Sequence, residues 1–435
     1  MNLPAGFPAP KTAADNSMTA AKVELGRHLF YDTRLSINGK QSCASCHDQA
    51  KAFTDARARA VGTTGEIHPR SSMSIVNIAY TPVLTWANPN MKRLERQALV
   101  PMFGEHPVEL GLSGKEKEVL VKLKAEPRYQ KLFPESFPGE ARPFTIENVT
   151  KAIAAFERTL ISGASPYDRY LNGDRRAISL SAKRGEALFF SERLECFHCH
   201  GGFNFSQSED HEGKAFTEIE FHNTGLYNLD GKGAFPKDNM GVFEFTGRPE
   251  DMGKFRAPTL RNIAVTAPYM HDGSIATLEG VIDHYAAGGR TISAGEYKGV
   301  GSASPQKSAF VKGFRLTARE KRDLITFLRS LTDEKFLRDP RFSNPWSQQQ
   351  TVGAEERHPF RGQIKWIDAD RLGVTVRHEA GPGLMGAMTM RFLVKNPNEL
   401  APFKPGDLIE AELVTDETSG EAWLEGFRPR PKRKR

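Results

Sequence analysis

Two short strings share the pattern Cys-x-x-Cys-His and together use all four cysteines of the chain. The pattern is typical of covalent c-type haem attachment, in which both thiols add to the haem and the adjacent histidine binds the iron. A structural disulfide or a redox-active cysteine pair is the alternative, but two strings that are each followed by histidine favour two covalently bound c-type haems. The predicted attachment residues are Cys43, Cys46, His47, Cys196, Cys199 and His200.

Each of these strings lies between two predicted helices. A helix with apolar residues near one face begins at Thr19 before the first string, and a similar phrase over Ser181–Phe190 precedes the second. After the strings come an amphipathic helix within Thr145–Ser162 and another that starts with a capping box of Thr317 and Glu320. The order of helix, haem string, long loop and helix occurs twice. This repeat predicts two tandem cytochrome c-like domains.

The sequence changes character after a linker predicted at residues 346–359. Runs of alternating apolar and polar residues follow, separated by Gly, Pro and Asp turns, as expected of short half-buried strands. The quoted runs are Gly362–Ile367, Gly373–His378, Met390–Lys395 and Leu408–Val414. A segment of about seventy residues with this pattern predicts a small β-barrel of the OB type.

The predicted fold class is therefore mainly α, with two tandem cytochrome c-like haem domains and a small C-terminal OB-type β-barrel. The predicted domain boundaries are residues 1–165 for the first haem domain, 166–345 for the second and 360–428 for the barrel. A basic tail is predicted at 429–435.

Charge and hydropathy exclude two classes of partner. The formal net charge is +7, and residues 428–435 alone carry six basic side chains. The rest of the chain is close to neutral, so we do not expect nucleic acid as a partner. No run approaches the ~18 consecutive apolar residues of a membrane-spanning helix, so none is predicted.

The chemistry of the two strings also predicts a compartment. Covalent haem attachment normally takes place outside the bacterial cytoplasm, so we expect an exported, periplasmic protein. The first residues lack a basic region followed by an apolar one, which is the pattern of a signal peptide. We therefore expect the given chain to be a mature form.

Residues 20–345 resemble the bacterial family of di-haem cytochrome c peroxidases and MauG proteins over nearly their whole length. The strings that carry the resemblance are Leu29–Ser36, Pro107–Gly111, Phe221–Gly225 and Phe255–Ser274. The resemblance implies that the first haem reacts with peroxide and has His47 as its sole strong ligand. It also implies a second, six-coordinate haem that is held by His200.

The open face of the first haem is lined in the family by a glutamine, a proline and a glutamate. Gln97, Pro101 and Glu109 match these residues. The resemblance implies that Glu109 moves a proton between the two peroxide oxygens during cleavage. A short insertion just before this glutamate leaves Glu105 and His106 as alternative acids.

Axial ligands other than the two string histidines are also implied by the resemblance. In the peroxidases the second haem has a methionine ligand at a fixed distance after the histidine matched by His271, and Tyr285 stands there, as in MauG-like members. A phenolate stabilises high-valent iron, whereas a thioether favours the ferrous form. His284 is the competing ligand. Some peroxidases of the family place a removable histidine on the first haem, for which His68 is the candidate.

Two further elements of the family lie between its haems. Trp86 aligns with a tryptophan in that position, where an indole can carry oxidising equivalents from one iron to the other. The family also binds a calcium ion there through backbone oxygens, and Thr266 and Pro268 match these ligands. For the side-chain ligand of calcium, Asn77 and Ser71 are both candidates.

Residues 360–428 resemble the CusF-like periplasmic copper-binding domain, on the strings Val374–His378, Met385–Phe392 and Phe403–Leu408. Thioether and imidazole ligands suit Cu(I) and disfavour harder divalent cations. Alternate residues of a strand lie on one face, which a shared metal requires of two methionines. The copper ligands implied by the resemblance are His378, Met388 and Met390, with Met385 as a third thioether where the best-known family member has a tryptophan.

Together, the two resemblances imply a peroxide-dependent enzyme of the MauG type, closest to the MbnH-like branch. Hydrogen peroxide would form a high-valent, bis-Fe(IV)-type state that oxidises a side chain of a partner protein, a tryptophan by the resemblance, coupled to copper binding. The alternative is a cytochrome c peroxidase that reduces hydrogen peroxide to water with electrons from a small donor protein. A third, non-enzymatic interpretation is a copper-handling or electron-transfer protein.

Overall fold

The structure, a computed structural model, describes residues 3–346, 355–368, 372–380, 386–416 and 422–430. The chain divides into two compact units, Met1–Pro345 and Trp346–Arg435. The first unit is mainly helical and contains both haem strings, and the second contains the β-strands of a barrel. Both predicted haem domains lie within the first unit, so the boundary between residues 165 and 166 stays a prediction.

Short helices and long connecting loops make up the first unit. The α-helices are α1 (Ala20–Phe30), α2 (Leu94–Gln97), α3 (Leu99–Phe103), α4 (Glu116–Ala125), α5 (Pro127–Ser136), α6 (Ile146–Glu157), α7 (Pro166–Leu171), α8 (Leu180–Phe189), α9 (Cys196–His200), α10 (Phe243–Thr246), α11 (Leu278–Ala286) and α12 (Ala318–Arg329). Two small antiparallel ladders pair β1 (Phe221–His222) with β2 (Phe255–Arg256), and β3 (Thr291–Ile292) with β4 (Gly299–Val300). Within the described ranges, every helix is too short or too polar to cross a bilayer.

Capping residues explain where the main helices begin. Thr19 caps α1 and Thr145 caps α6, and each side chain accepts a hydrogen bond from a backbone N–H in the first turn. Thr317 and Glu320 form a reciprocal capping box at the start of α12. The helices predicted on both sides of the haem strings are therefore present, although α6 ends at Glu157, before the predicted end.

In each half of this unit, the helix before the haem string crosses the helix after it. A Cβ added to Gly26 of α1 would lie 1.9 Å from the carbonyl oxygen of Ala152 in α6. A Cβ added to Gly185 of α8 would lie 2.0 Å from that of Asp323 in α12. Only glycine permits such a close approach of two backbones. The two halves therefore share one helix-pair geometry, which supports the predicted tandem of cytochrome c-like folds.

A pair of buried asparagines repeats one local structure in both halves. Asn77 and Asn262 have left-handed backbones, with φ of 56° and 61°, and each precedes a short 3-10 helix. The Asn77 side chain accepts from the backbone N–H of Ser162, and the Asn262 side chain accepts from that of Asp333, both at 2.7 Å. Each asparagine thus holds the segment that follows the last helix of its half.

The second unit is a closed five-stranded barrel with the strand order β5-β6-β7-β9-β8. Its strands are β5 (Glu355–Ile367), β6 (Gly373–His378), β7 (Thr389–Val394), β8 (Leu408–Asp416) and β9 (Ala422–Pro429). Apolar residues that alternate along the strands, among them Ile364, Val376 and Leu424, form its core. The predicted fold class, mainly α with a C-terminal barrel, is confirmed.

The barrel begins earlier than the sequence predicted. β5 starts at Glu355, inside the segment 346–359 that was expected to be a linker, and it pairs with β8 from that residue onward. Charged residues and a proline open this strand, so it lacks the apolar alternation by which the other strands are recognised. Of the predicted basic tail, Pro429 ends β9, and residues 431–435 lie outside the described residues.

Candidate functional site

The first haem string lines a cavity that it shares with segments distant in the sequence. Gln97 ends α2, Pro101 lies in α3, and Glu109 lies in the loop after α3. The lining brings together Cys43, Cys46 and His47 with Gln97, Pro101 and Glu109. All six residues predicted for the peroxide site therefore face one space, while their individual roles stay predictions.

Backbone carbonyls orient the proximal histidines of both haem strings. His47 Nδ1 lies 2.8 Å from the carbonyl oxygen of Phe53, and His200 Nδ1 lies 3.1 Å from that of Pro258. A carbonyl oxygen only accepts, so Nδ1 carries the proton and Nε2 keeps its lone pair. Burial lowers the pKa of His200 to about 4 and that of His47 below its usual range, so both rings are neutral. Neutral, oriented imidazoles are what a metal requires.

All four cysteines are unpaired thiols in the structure, so neither string forms a disulfide. Burial raises the pKa of Cys46 to about 11 and the pKa values of Cys196 and Cys199 to about 12. These thiols are therefore uncharged at neutral pH, unlike the thiolates of redox-active pairs. Uncharged sulfurs next to a neutral, oriented imidazole fit thioether attachment of haem.

Of the three candidate acids Glu105, His106 and Glu109, the structure places Glu109 in the first cavity. Its backbone carbonyl accepts from the N–H of Thr63 at 2.7 Å, which fixes the loop. Burial raises the pKa of Glu109 to about 7, so it exchanges protons readily near neutral pH. The alternatives Glu105 and His106 are exposed, and neither lines the cavity. The geometry therefore favours Glu109 over both.

A buried carboxyl group in this cavity was missed by sequence reasoning. Glu157, at the end of α6, is 7% exposed and lines the cavity, and its Oε2 has no hydrogen-bond partner among the described residues. Burial raises its pKa to about 8, so it is protonated at neutral pH. Its position four residues after Ile153, on the apolar stripe of α6, was the signal available in the sequence.

The second haem string lines a cavity in the other half of the unit. The lining includes Cys196, Cys199, His200, Tyr285, Trp86, His271 and Arg256. Tyr285 comes from α11 and is buried, and this burial raises its pKa well above the usual range. His284, the competing ligand, does not line the cavity; burial and the charge of Arg290 lower its pKa to about 4. The structure therefore turns the phenol, not the imidazole, toward the second site.

Two polar side chains in the second cavity have the chemistry to bind an anion or a hydrogen-bond acceptor. Arg256 is 4% exposed, and its partners among the described residues are the Thr85 carbonyl and the Met73 sulfur, neither of which is anionic. Burial lowers the pKa of Arg256 to about 10. His271 is buried against the ring of Phe255, at 3.6 Å between centroids, and its Nε2 has no described partner. A haem with anionic propionates fits this donor set.

Trp86 lies where the two halves of the unit meet. Its indole Nε1 donates to the carbonyl of Ser71 at 2.9 Å, and its own carbonyl accepts from the N–H of Arg256 at 2.8 Å. Ser71 in turn donates its N–H to the carbonyl of His271 at 2.9 Å. Trp86 lines the second cavity, and its place between the haems stays a prediction.

One candidate calcium ligand, Asn77, forms hydrogen bonds within the fold. Asn77 is fully buried, and its amide nitrogen donates to the Ser162 carbonyl and to Asn204 at 3.1 and 3.0 Å. Its oxygen accepts from Ser162, in the arrangement that its counterpart Asn262 repeats. Asn77 is therefore explained by the fold. A calcium site at Thr266 and Pro268 stays a prediction.

The barrel brings three of the four predicted copper ligands together. The His378 N–H donates to the Met388 carbonyl at 2.9 Å, and Met390 pairs with Val376, two residues before His378. His378 is 2% exposed; its Nδ1 donates to the Glu379 carbonyl, and its Nε2 has no described partner. Both methionines are exposed. Met385 lies outside the described residues. A buried free imidazole beside two exposed thioethers fits Cu(I).

Comparison with known proteins identifies the same two families that the sequence strings resemble. Residues 20–176 match the family of di-haem cytochrome c peroxidases, and residues 357–422 match the copper-binding periplasmic protein CusF. The methylamine utilization protein MauG of Methylorubrum extorquens is 36% identical over 333 residues, which cover 76% of this chain and 83% of that protein. The cytochrome c551 peroxidase of Pseudomonas aeruginosa is 32% identical over 259 residues, which cover 60% and 70%.

A solved structure extends this likeness to three dimensions. The crystal structure of a MauG-like protein associated with microbial copper homeostasis is 48% identical, with a TM-score of 0.78. The alignment covers 79% of this chain and 99% of that one. The chain therefore belongs to the family of di-haem cytochrome c peroxidases and MauG proteins, whose members are peroxide-dependent oxidoreductases with two c-type haems, and it carries a C-terminal CusF domain.

Proposed function

We propose that this protein is a periplasmic di-haem oxidase that uses hydrogen peroxide to oxidise a tryptophan side chain of a partner protein. The observation that carries the proposal is the Tyr285 phenol, which lines the second cavity together with His200. A haem that relays electrons is served by a thioether, whereas a phenolate stabilises oxidised iron. A second site built for oxidation favours storage of both oxidising equivalents until a partner binds.

The residues of the first cavity supply the proton chemistry of this reaction. Haem, once attached, would supply the iron and the two electrons that reduce peroxide when the O–O bond breaks. Glu109 accepts a proton from one peroxide oxygen and returns it to the other, which leaves as water. The Gln97 amide offers a hydrogen-bond donor to the bound peroxide, and Pro101 presents an apolar wall beside it. Trp86 is the side chain that we assign to the passage of oxidising equivalents between the two halves.

The CusF domain adds copper to this proposal. We assign Cu(I) to His378, Met388 and Met390, and we infer that copper binding and peroxide chemistry serve one partner system. Two relations support this inference: the CusF family is described as periplasmic and copper-binding, and the MauG-like solved relative is described as associated with microbial copper homeostasis. Both descriptions concern those proteins and motivate the assignment to this one.

The test of the proposed function is the response of the fully oxidised holoprotein to one equivalent of hydrogen peroxide without reductant. We expect immediate loss of both ferric electron paramagnetic resonance signals and a long-lived near-infrared absorption band. These signals would mean that both sites share the oxidising equivalents. A protein that reacts only after one haem is reduced is a cytochrome c peroxidase, the alternative function, and our proposal would then be wrong.

Copper binding can be tested separately from haem chemistry. Replacing Met388 or Met390 by Leu is expected to weaken Cu(I) binding by roughly tenfold, or ~1.4 kcal/mol, because each change removes a thioether ligand. Both side chains are exposed, so the barrel itself should keep its stability. Competition with a Cu(I) chelator under anaerobic conditions measures the affinity. Met91→Leu in the haem unit is the matched control, and equal affinities of all variants would contradict the assignment.

A further inference from the structure

We propose that His68 is a positioning residue for Glu109, whose carboxylate it holds by donating from Nε2 so that one oxygen stays free toward the cavity. The inference rests on the proposed peroxide reaction in the first cavity and adds a residue to it. Nε2 of His68 lies 3.9 Å from Oε1 of Glu109, and both residues line that cavity. Such distances are often long until the reactive complex forms.

A backbone hydrogen bond decides which nitrogen of His68 carries the proton. The N–H of Arg70 donates to His68 Nδ1 at 3.1 Å, so Nδ1 is an acceptor. A neutral imidazole then carries its proton on Nε2, the nitrogen that faces Glu109. A removable haem ligand would instead need a lone pair on Nε2. The geometry therefore favours a different role for His68 from the axial ligation that the sequence suggested.

The two loops that carry these side chains are tied together by their backbones. The Thr63 N–H donates to the Glu109 carbonyl at 2.7 Å, and the Val108 N–H donates to Glu66 Oε2 at 3.0 Å. The His68 N–H also donates to the carbonyl of Ala60 at 2.8 Å. These bonds fix the two loops relative to each other. The approach of His68 to Glu109 is therefore built into the fold.

The segment after His68 is anchored to the second half of the unit. Asn239 Nδ2 donates to the Pro69 carbonyl at 3.1 Å, and Arg70 Nε donates to Asn239 Oδ1 at 2.8 Å. The Arg70 guanidinium also forms an ion pair with Glu244. The backbone N–H that sets the tautomer of His68 is thus held by residues of the other half. The second half contributes in this way to the proton chemistry of the first.

Burial keeps His68 neutral against the acidic groups around it. Glu66, Arg70 and Glu109 are the charged groups that face it. Burial, followed by the charge of Arg70, lowers the pKa of His68, whereas a backbone hydrogen bond with Arg70 and the charge of Glu66 act in the opposite direction. Neutral His68 is a donor through Nε2 only. It therefore favours the ionised form of Glu109, the form that accepts a proton from peroxide.

The test compares His68→Leu with His68→Gln in the oxidised holoprotein mixed with hydrogen peroxide. The leucine variant should react roughly tenfold more slowly at pH 7, because Glu109 loses its orienting donor. The pH midpoint of its rate should rise by about one unit, because the carboxylate loses a hydrogen bond. Glutamine keeps an N–H donor and should restore most of the rate. His211→Leu is the matched control, because His211 does not line this cavity. Haem content and circular dichroism verify folding.

Two results would overturn the proposal. The first is a leucine variant with the rate and pH midpoint of the wild type. The second is a faster reaction together with a changed resting ferric spectrum, which would identify His68 as a removable haem ligand. A wild-type protein that fails to react with peroxide would instead refute the proposed function. Asn239→Ala, which loosens the anchor, is expected to slow the reaction in the same direction but less than the leucine variant.

Discussion

Replacing Glu109 by Gln is expected to slow the reaction of the oxidised protein with peroxide by roughly 10²–10³-fold, because the cavity loses the group that transfers the proton. Glutamine has nearly the same shape, so haem content and folding should not change. The measurement is the stopped-flow rate of loss of the ferric spectrum at pH 7. A reduction of less than threefold would mean that another group carries the proton.

The same measurement across pH identifies the group more sharply. Burial raises the pKa of Glu109 to about 7, and only the ionised carboxylate accepts a proton from peroxide. The rate should therefore rise as the pH increases through about 7, and this rise should disappear in Glu109→Gln. Glu105→Gln separates the two candidate acids, because Glu105 is exposed and accepts from Ser113 outside the cavity.

Replacing Tyr285 by Met is expected to convert the second site from an oxidant store to an electron relay. The potential of the second haem should rise by several tenths of a volt, a large part of the ~0.8 V range that axial ligands span. The near-infrared band formed with peroxide should no longer persist. Spectroelectrochemistry and rapid-scan absorption measure these two effects.

The control for this experiment is another buried tyrosine of the same cavity. Tyr269→Phe removes a hydroxyl that donates to the Ile263 carbonyl at 3.1 Å, and it should leave both signals as in the wild type. Tyr285→Phe should remove the band in the same way as the methionine variant. An unchanged resting spectrum and an unchanged band in both Tyr285 variants would show that the phenol does not act at the second site.

The sequence predicts much of the fold and of the candidate sites, because short local motifs contain the residues that identify them. The two Cys-x-x-Cys-His strings and the capping box of Thr317 and Glu320 depend on residues within one or two turns of each other. The tandem of helices flanking the haem strings follows from apolar periodicity. Family resemblance then supplies Gln97, Pro101 and Glu109, which the structure finds around one cavity.

Other features could not be predicted, because they depend on contacts between distant segments. The approach of His68 to Glu109 depends on the packing of two loops. The tautomer that makes His68 a donor toward Glu109 depends on one hydrogen bond from the backbone. Arg256 and Glu157 become unusual only once their burial is known. The hydrogen bonds between Asn77 and Ser162 are not visible in the sequence for the same reason.

The two halves share the glycine crossings at Gly26 and Gly185 and the asparagine turns at Asn77 and Asn262. One scaffold therefore occurs twice in the unit with little change. Duplication of this kind frees each copy from performing the whole reaction. One copy can specialise in cleaving the oxidant and the other in retaining its oxidising power. Gln97, Pro101, Glu109 and Tyr285 lie outside the two crossing helix pairs. Each half can therefore be redesigned at these positions without altering the helix pair that supports it.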